Sequence, residues 1–424
     1  MRIPIVMVSD KNYVLQTRVA IWTMRKNSDE KVFLDITIFC TPQLDKKSRY
    51  RLKELETILT NLKINFHEVD PQIFINAKVS AHVPVASFYR LLIPEIFKQD
   101  EKCLFLDGDI IVNVDLQELY LENVEDVYIA GVRDEGFLCD PDEALKHYKM
   151  YGFRSCNTYV NAGVLIFNIA KLRERHLHLE FLKCLKTYYP YMDQDILNKV
   201  CDGQVKLLAS EFNYFNRGKN IKVLENRCEI EKNWKILHFA GEYKPWNNLR
   251  IRYAKEWWAW AQEALEENEY NKLYFQVKEL TEKNDWTYIL NRCIREKKII
   301  IVGYSRIGVD VFVSLKKCNV MAEIFFCDNS KKKRDLSNIE ITIHTVEELK
   351  RKYPQALWII TSQRSSEIIN SQLIELGITE EKIITYINKE GIYYDMLDDA
   401  YIEYELNQMR LKNVGNTDKI GEYR

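Results

Sequence analysis

The sequence carries almost no net charge. Across 424 residues, 61 lysines and arginines stand against 62 aspartates and glutamates. So balanced a chain presents no global basic field, which excludes bulk attraction of nucleic acid and leaves only local patches for an anionic membrane. Long apolar runs are also missing: no stretch approaches the ~20 residues needed to span a bilayer. The opening "MRIPIVMVSD" has a short apolar run but no small-residue cleavage site after it, unlike a secretory signal. Among ten cysteines there is no Cys-x-x-Cys pair and no regular spacing. They read as reduced thiols, mostly small buried hydrophobes, and not as a disulfide framework. No internal repeat or low-complexity segment is found. The expectation is a soluble, cytoplasmic protein that would meet a membrane only peripherally, at its inner surface.

What is present is enough apolar material, 46% of residues, for two or three domains, each with its own core. "IPIVMV" (3–8), "FLDITIFC" (33–40) and "INFHEV" (64–69) read as strands. Leu15, Val19 and Trp22 recur at helical spacing, and Leu52, Leu55, Leu59 and Leu62 predict a helical stripe. Strands alternating with helices predict an α/β fold with a mostly parallel sheet, whose ligands sit beyond the carboxyl ends of the strands. The expected domains are 1–260 (catalytic), 261–291 (helical linker), 292–400 (a smaller Rossmann-like α/β unit) and 401–424 (tail). Around the linker, Trp257, Trp258 and Trp260 with Arg250, Arg252 and Lys255 read first as packing onto the catalytic domain, with a membrane-surface face as the alternative. In the second unit, Gly303-x-Ser305-x-x-Gly308 and Asp328 resemble a dinucleotide fingerprint in which Ser replaces one glycine. That departure favours a structural or partner-binding unit over a cofactor site.

"CLFLDGDIIV" (103–112) sets Asp107 and Asp109 one residue apart inside an otherwise apolar run. Ionised groups are costly there without a partner. Residues i and i+2 of a strand share a face, so the pair could chelate a metal; a polar turn ending the strand is the alternative. "TYVNAGVLIFN" (158–168) brings Asn161 and small Ala162-Gly163 into an apolar strand. "YMDQDILNKV" (191–200) puts Asp193, Gln194 and Asp195 at a helix start, where an acid can also be only a cap. "LHFAGEYKPW" (237–246) adds His238, Gly241 and Lys244, an imidazole suited to a divalent cation and an amine suited to phosphate.

"SDKNY", "SFYRLLIPE", "LDGD", "NAGVLIFN", "DQD" and "HFAGEYKPW" occur in that order over roughly residues 1–260. Together they resemble glycosyltransferase family 8, the retaining nucleotide-sugar transferases with a GT-A fold. The resemblance implies that Asp107, Asp109 and His238 hold Mn(II), with Mg(II) a weaker substitute, and that the metal bridges the phosphates of a UDP-sugar. It implies uridine contacts from Asp10, Asn12 and Tyr13 and diphosphate contacts from Gly241 and Lys244. Arg90, Asp134, Asn161, Asp193 and Gln194 would surround the donor sugar, Gln194 at its β face and Asp193 at its hydroxyls. The implied activity is hexosyl transfer from UDP-glucose or UDP-galactose to a cell-surface glycan, lipid-linked sugar or glycoprotein, with no nucleic-acid partner. Two rivals stand beside it: a metal-dependent phosphoesterase using the same Asp-Asp-His triad, and a nucleotide-sugar-binding scaffold.

Overall fold

A computed structural model describes residues 1–78, 85–97, 99–134, 141–153, 157–214, 233–241, 244–249, 251, 253–283, 286–330, 342–362 and 365–386. The chain divides into two units. One comprises Met1–Trp246 and Arg252–Tyr274, and the other Asn247–Ile251 with the described residues from Phe275 on. The tail expected over 401–424 lies outside the described residues.

In chain order the first unit holds strands β1 (Arg2–Ser9), β2 (Phe33–Cys40), β3 (Leu62–Glu68), β4 (Lys102–Leu106), β5 (Ile110–Val112), β6 (Ile129–Arg133), β7 (Val160–Asn168), β8 (Val205–Leu207) and β9 (Ile236–His238). Seven of them form one sheet in the order β3-β2-β1-β4-β7-β6-β8, and β5 pairs with β9. β7 runs antiparallel to β4 and β6, while β1, β2, β3 and β4 are mutually parallel. Every residue of β7 is buried, and β1 is buried over most of its length. Such near-continuous apolar runs belong to central strands covered on both faces. Helix Val14–Asn27 follows β1 and ends on Arg25 and Lys26, cations that suit the negative end of its dipole.

One expectation is corrected here and one alternative is set aside. The leucine stripe is not one helix: helical turns stop at Ile58, Leu59 is extended, Asn61 takes a φ of 54°, and Leu62 opens β3. All four leucines are buried, so their spacing reported burial, which both states satisfy. The membrane-facing alternative fails for two of its tryptophans. Trp257 and Trp258 lie on helix Ala254–Ala264 and are buried; the Trp257 ring sits 4.9 Å from that of Trp246, and Trp258 Nε1 donates to Pro245 O at 3.0 Å. Arg250 and Arg252 lie outside the described residues.

The second unit holds β10 (Lys298–Val302), β11 (Glu323–Cys327), β12 (Ile343–His344), β13 (Leu357–Ile360) and β14 (Ile383–Thr385), in the order β12-β11-β10-β13-β14 with every pairing parallel. β12 and the helix after it, Val346–Lys352, were not anticipated, although Thr345 and Glu348 form a capping box that "TVEE" spells out. Ser305 caps helix Arg306–Lys317 by accepting from the Gly308 N–H, and the Asp328 carboxylate accepts from the Tyr304 and Ser330 N–H groups. No described helix is long and apolar enough to cross a membrane.

Candidate metal and donor site

The two aspartates are held from different sides. After β4 ends, the Asp107 N–H donates to Gly163 O of β7 at 2.9 Å; beyond Gly108, Asp109 O accepts the Phe239 N–H at 3.0 Å as β5 begins to pair with β9. That pairing sets Ile110 opposite His238. Nε2 of His238 therefore stands 3.3 Å from Asp109 Oδ1 and 3.9 Å from Asp107 Oδ2. One ligand atom from each of the three residues falls within 4.8 Å of the others. Asp109 and His238 are buried.

Gly163 permits this approach. A Cβ there would lie 2.2 Å from His238 Cε1 and 2.9 Å from Asp107 Oδ2. Gly241, with a φ of 88°, allows the left-handed turn on the path from His238 back to Lys244. The Lys244 ammonium is buried against Asp109 and also donates to Phe239 O at 2.5 Å.

The two carboxylates titrate apart. Burial pushes the Asp107 carboxyl up to about 6, with neighbouring Asp109 adding to the rise and Arg90 opposing it. Burial pushes Asp109 up as well, but Lys244 and His238 together outweigh it and hold Asp109 well below the usual carboxylate range. Tyr13 is raised to about 12, first by burial and then by the two aspartates, with Lys244 opposing them. Among the expected uridine contacts, Asp10 accepts from the backbone N–H of Asn12 (2.8 Å) and Tyr13 (3.1 Å), while Asn12 itself is exposed.

Arg90 ties the metal cluster to the helix start at 192. Its guanidinium lies 3.0 Å from Asp107 Oδ1 and 3.1 Å from Asp193 Oδ2, donates to Ala162 O at 2.5 Å, and stacks 4.2 Å over the Phe105 ring. Asp193 is raised by burial, with Arg90 pulling it down. Gln194 Oε1 accepts from Ala162 N–H and Asn161 Nδ2, each at 3.1 Å, while its Nε2 donates to Asp134 Oδ2 at 3.0 Å. Arg90, Asp134, Asn161, Asp193, Gln194, Asp107, Asp109, His238 and Lys244 thus form one connected, mostly buried network.

Sequence reasoning did not single out two side chains that join it. Asn213 bonds His238 Nδ1 at 2.9 Å, Tyr159 donates to Asp195 Oδ1 at 2.6 Å, and Gln194 Nε2 reaches Tyr159 Oη at 3.3 Å. Asn213 stands in "EFNYF", a segment with no charge pair or glycine turn to draw notice.

A model of the glycosyl transferase family 8 matches residues 4–250. A protein of Haemophilus influenzae, provisionally named a glycosyltransferase, is 30% identical over 57% of this chain and 72% of its own. Glycosyltransferase GlyF of Streptococcus pneumoniae serotype 4 is 24% identical over 72% of this chain and 70% of its own. The solved structure of the bifunctional glycosyltransferase WbbM, at 25% identity, matches with a TM-score of 0.57 over 64% of this chain and 51% of that one. The mixed sheet of the first unit is accordingly a GT-A glycosyltransferase fold. Because the family model spans more than half of the sequence, and the residues it covers include the Asp107, Asp109 and His238 cluster, the chain belongs to glycosyltransferase family 8.

Proposed function

We propose that the chain is a metal-dependent, retaining hexosyltransferase that takes glucose or galactose from a UDP-sugar and passes it to a hydroxyl of a glycan, lipid-linked sugar or glycoprotein. It would act in the cytoplasm, at the inner membrane surface where the acceptor is lipid-linked. The observation that carries this reading is the meeting of Asp107, Asp109 and His238 beside the Lys244 ammonium in a family 8 chain. Two carboxylates and an imidazole suit a divalent cation, and the nitrogen ligand favours Mn(II) over Mg(II). When bound, the ion would offset the negative charge that gathers on the departing diphosphate.

The chain's own residues supply the rest. Lys244 brings a buried positive charge to the same phosphate oxygens, where a low dielectric strengthens it, and Gly241 lets the backbone close on them. Asp10, Asn12 and Tyr13 bind the uridine. Arg90 anchors Asp193, which takes the sugar hydroxyls with Asp134 and Asn161. Gln194 lies at the β face. Its oxygen already accepts two N–H bonds, and an amide oxygen so engaged is a poor nucleophile. This supports front-face attack: the acceptor oxygen bonds to the anomeric carbon on the side from which the diphosphate leaves, and the acceptor proton passes to the diphosphate. The second unit reads as a Rossmann-like accessory domain. Its 3-2-1-4-5 parallel order supports that assignment, and the Ser305 cap on the Gly308 N–H supports a structural or partner-binding role over cofactor binding.

The test is UDP release by the full chain from a panel of UDP-sugars with Mn(II), Mg(II) or chelator. Release from one UDP-hexose, strongest with Mn(II), is expected, and Asp109→Asn and His238→Ala should each fall to the chelator background. Near-normal turnover in either variant removes that residue from the site. Transfer to water alone would favour the phosphoesterase, UDP binding without turnover the scaffold, and a trapped glycosyl-enzyme would rule out front-face attack.

A further inference from the structure

Asn213 has no role in the assignments above, yet its side chain is buried and touches a proposed ligand. We propose that Asn213 is a positioning residue that keeps a proton on His238 Nδ1 and thereby commits Nε2 to the metal. This inference rests on the metal reading of the cluster.

The amide orientations follow from groups that have only one polarity. The Gly163 backbone N–H can only donate, and it lies 3.0 Å from Asn161 Oδ1. Asn161 Nδ2 then faces Asp134 Oδ2 at 3.3 Å and Gln194 Oε1 at 3.1 Å. A carboxylate only accepts, and Gln194 Oε1 is identified as oxygen by the Ala162 N–H at 3.1 Å. Both ends of Asn161 are thus set independently. Its oxygen takes a second donor, Asn213 Nδ2, at 2.9 Å. Asn213 must therefore turn its own oxygen to His238 Nδ1, 2.9 Å away. An amide oxygen cannot donate, so the hydrogen resides on Nδ1. Nε2, the nitrogen that faces Asp109 and Asp107, is the one left to offer its lone pair to a cation. In the other tautomer two lone pairs would oppose each other at Asn213, and Nε2 would have no lone pair to offer a cation.

The backbone keeps this alignment. Asn213 closes the short turn Ser210–Asn213, and the next residue, Tyr214, donates to Ile236 O and accepts from the His238 N–H, each at 2.8 Å. Outer partners of this kind usually contribute about 10- to 100-fold in metal affinity.

The experiment uses the full chain labelled with 15N-histidine. Imidazole nitrogen spectra of the metal-free protein read the tautomer, with His238→Ala assigning the signal, and electron paramagnetic resonance of free Mn(II) reads affinity. Wild type is expected to carry hydrogen on Nδ1 of His238. Asn213→Leu, which has no acceptor, should show mixed tautomers and bind Mn(II) about 10- to 100-fold more weakly. Asn213→Asp keeps an acceptor opposite Nδ1 and should recover the tautomer and most of the affinity, whereas a merely structural role would leave both variants equally impaired. A wild-type Nδ1 without hydrogen overturns the proposal, as does a folded Asn213→Leu that binds within about threefold of wild type. If wild type binds no Mn(II) at all, the metal reading fails separately, and the tautomer spectrum still decides whether Asn213 holds the proton. Should Asn213→Leu not fold, the wild-type spectrum and the Asn213→Asp variant decide.

Discussion

Replacing Gly163 by alanine should cost both stability and metal affinity. On backbone grounds alone the change is favourable: Gly163 lies inside β7, and alanine at a compatible position gains about 0.4–1 kcal/mol by restricting the unfolded chain. Sterics reverse the sign. The new Cβ would sit 2.2 Å from His238 Cε1 and 2.8 Å from Nδ1, far inside the ~3.5 Å at which carbon atoms rest. The ring has little room to retreat, because Nδ1 is bonded to Asn213 and the His238 N–H to Tyr214 O. Overpacking costs about 1–3 kcal/mol, and swinging the ring off Asn213 leaves a buried oxygen unpaired for about 1–3 kcal/mol more. The net expectation is a loss of about 2–4 kcal/mol, with Mn(II) binding weakened about tenfold or more. Urea unfolding followed by tryptophan fluorescence suits the test, since Trp22, Trp234, Trp246, Trp257, Trp258 and Trp260 all belong to the first unit. Gly131→Ala is the control: its Cβ would press on Leu165 and Val160, away from the cluster, so it should destabilise by about 1–3 kcal/mol and leave Mn(II) affinity unchanged. A Gly163→Ala protein with wild-type stability and affinity would refute the seating of His238 against this glycine.

Arg90→Met should destabilise by about 3–5 kcal/mol, because it strands two carboxylates that the guanidinium now pairs, buried Asp193 and half-buried Asp107; a loss below about 1 kcal/mol in the same unfolding assay would contradict that pairing. Asp195 is fully buried and accepts from Tyr159 Oη, the Tyr191 N–H and His147 Nε2. Asn there would turn an N–H toward a donor and cost about 1–3 kcal/mol, which thermal unfolding of the variant would register. Burial pushes the Cys293 thiol from 9.0 up to about 12, so at pH 8 only about one molecule in ten thousand carries the reactive thiolate. Among the described cysteines, exposed Cys318 should therefore be carboxymethylated first, while buried Cys40, Cys103, Cys201, Cys293 and Cys327 stay unlabelled until denaturant is added. Mapping the labelled peptides by mass spectrometry checks the order.

Much of the fold could be read along the chain because burial leaves a local record. Runs such as "FLDITIFC" and "KIIIV" became central strands β2 and β10, and the motifs from "LDGD" to "HFAGEYKPW" carried the family and the acidic and basic members of the site. Periodicity alone could not tell a buried helix from a buried strand, which is why the leucine stripe of 52–62 was misread as continuous. Nor did it show which face the tryptophans of 257–260 would cover. Tertiary structure alone decided the contacts that give the cluster its chemistry. Lys244 meets Asp109 across 135 residues of sequence, and Asn213 meets Asn161 across 52. Hydrogen bonds of that range depend on how β5 pairs with β9 and on the missing side chain at Gly163. Neither leaves a pattern in the neighbouring residues, because a bond's direction and a proton's place are set by atoms that the chain brings together only when folded.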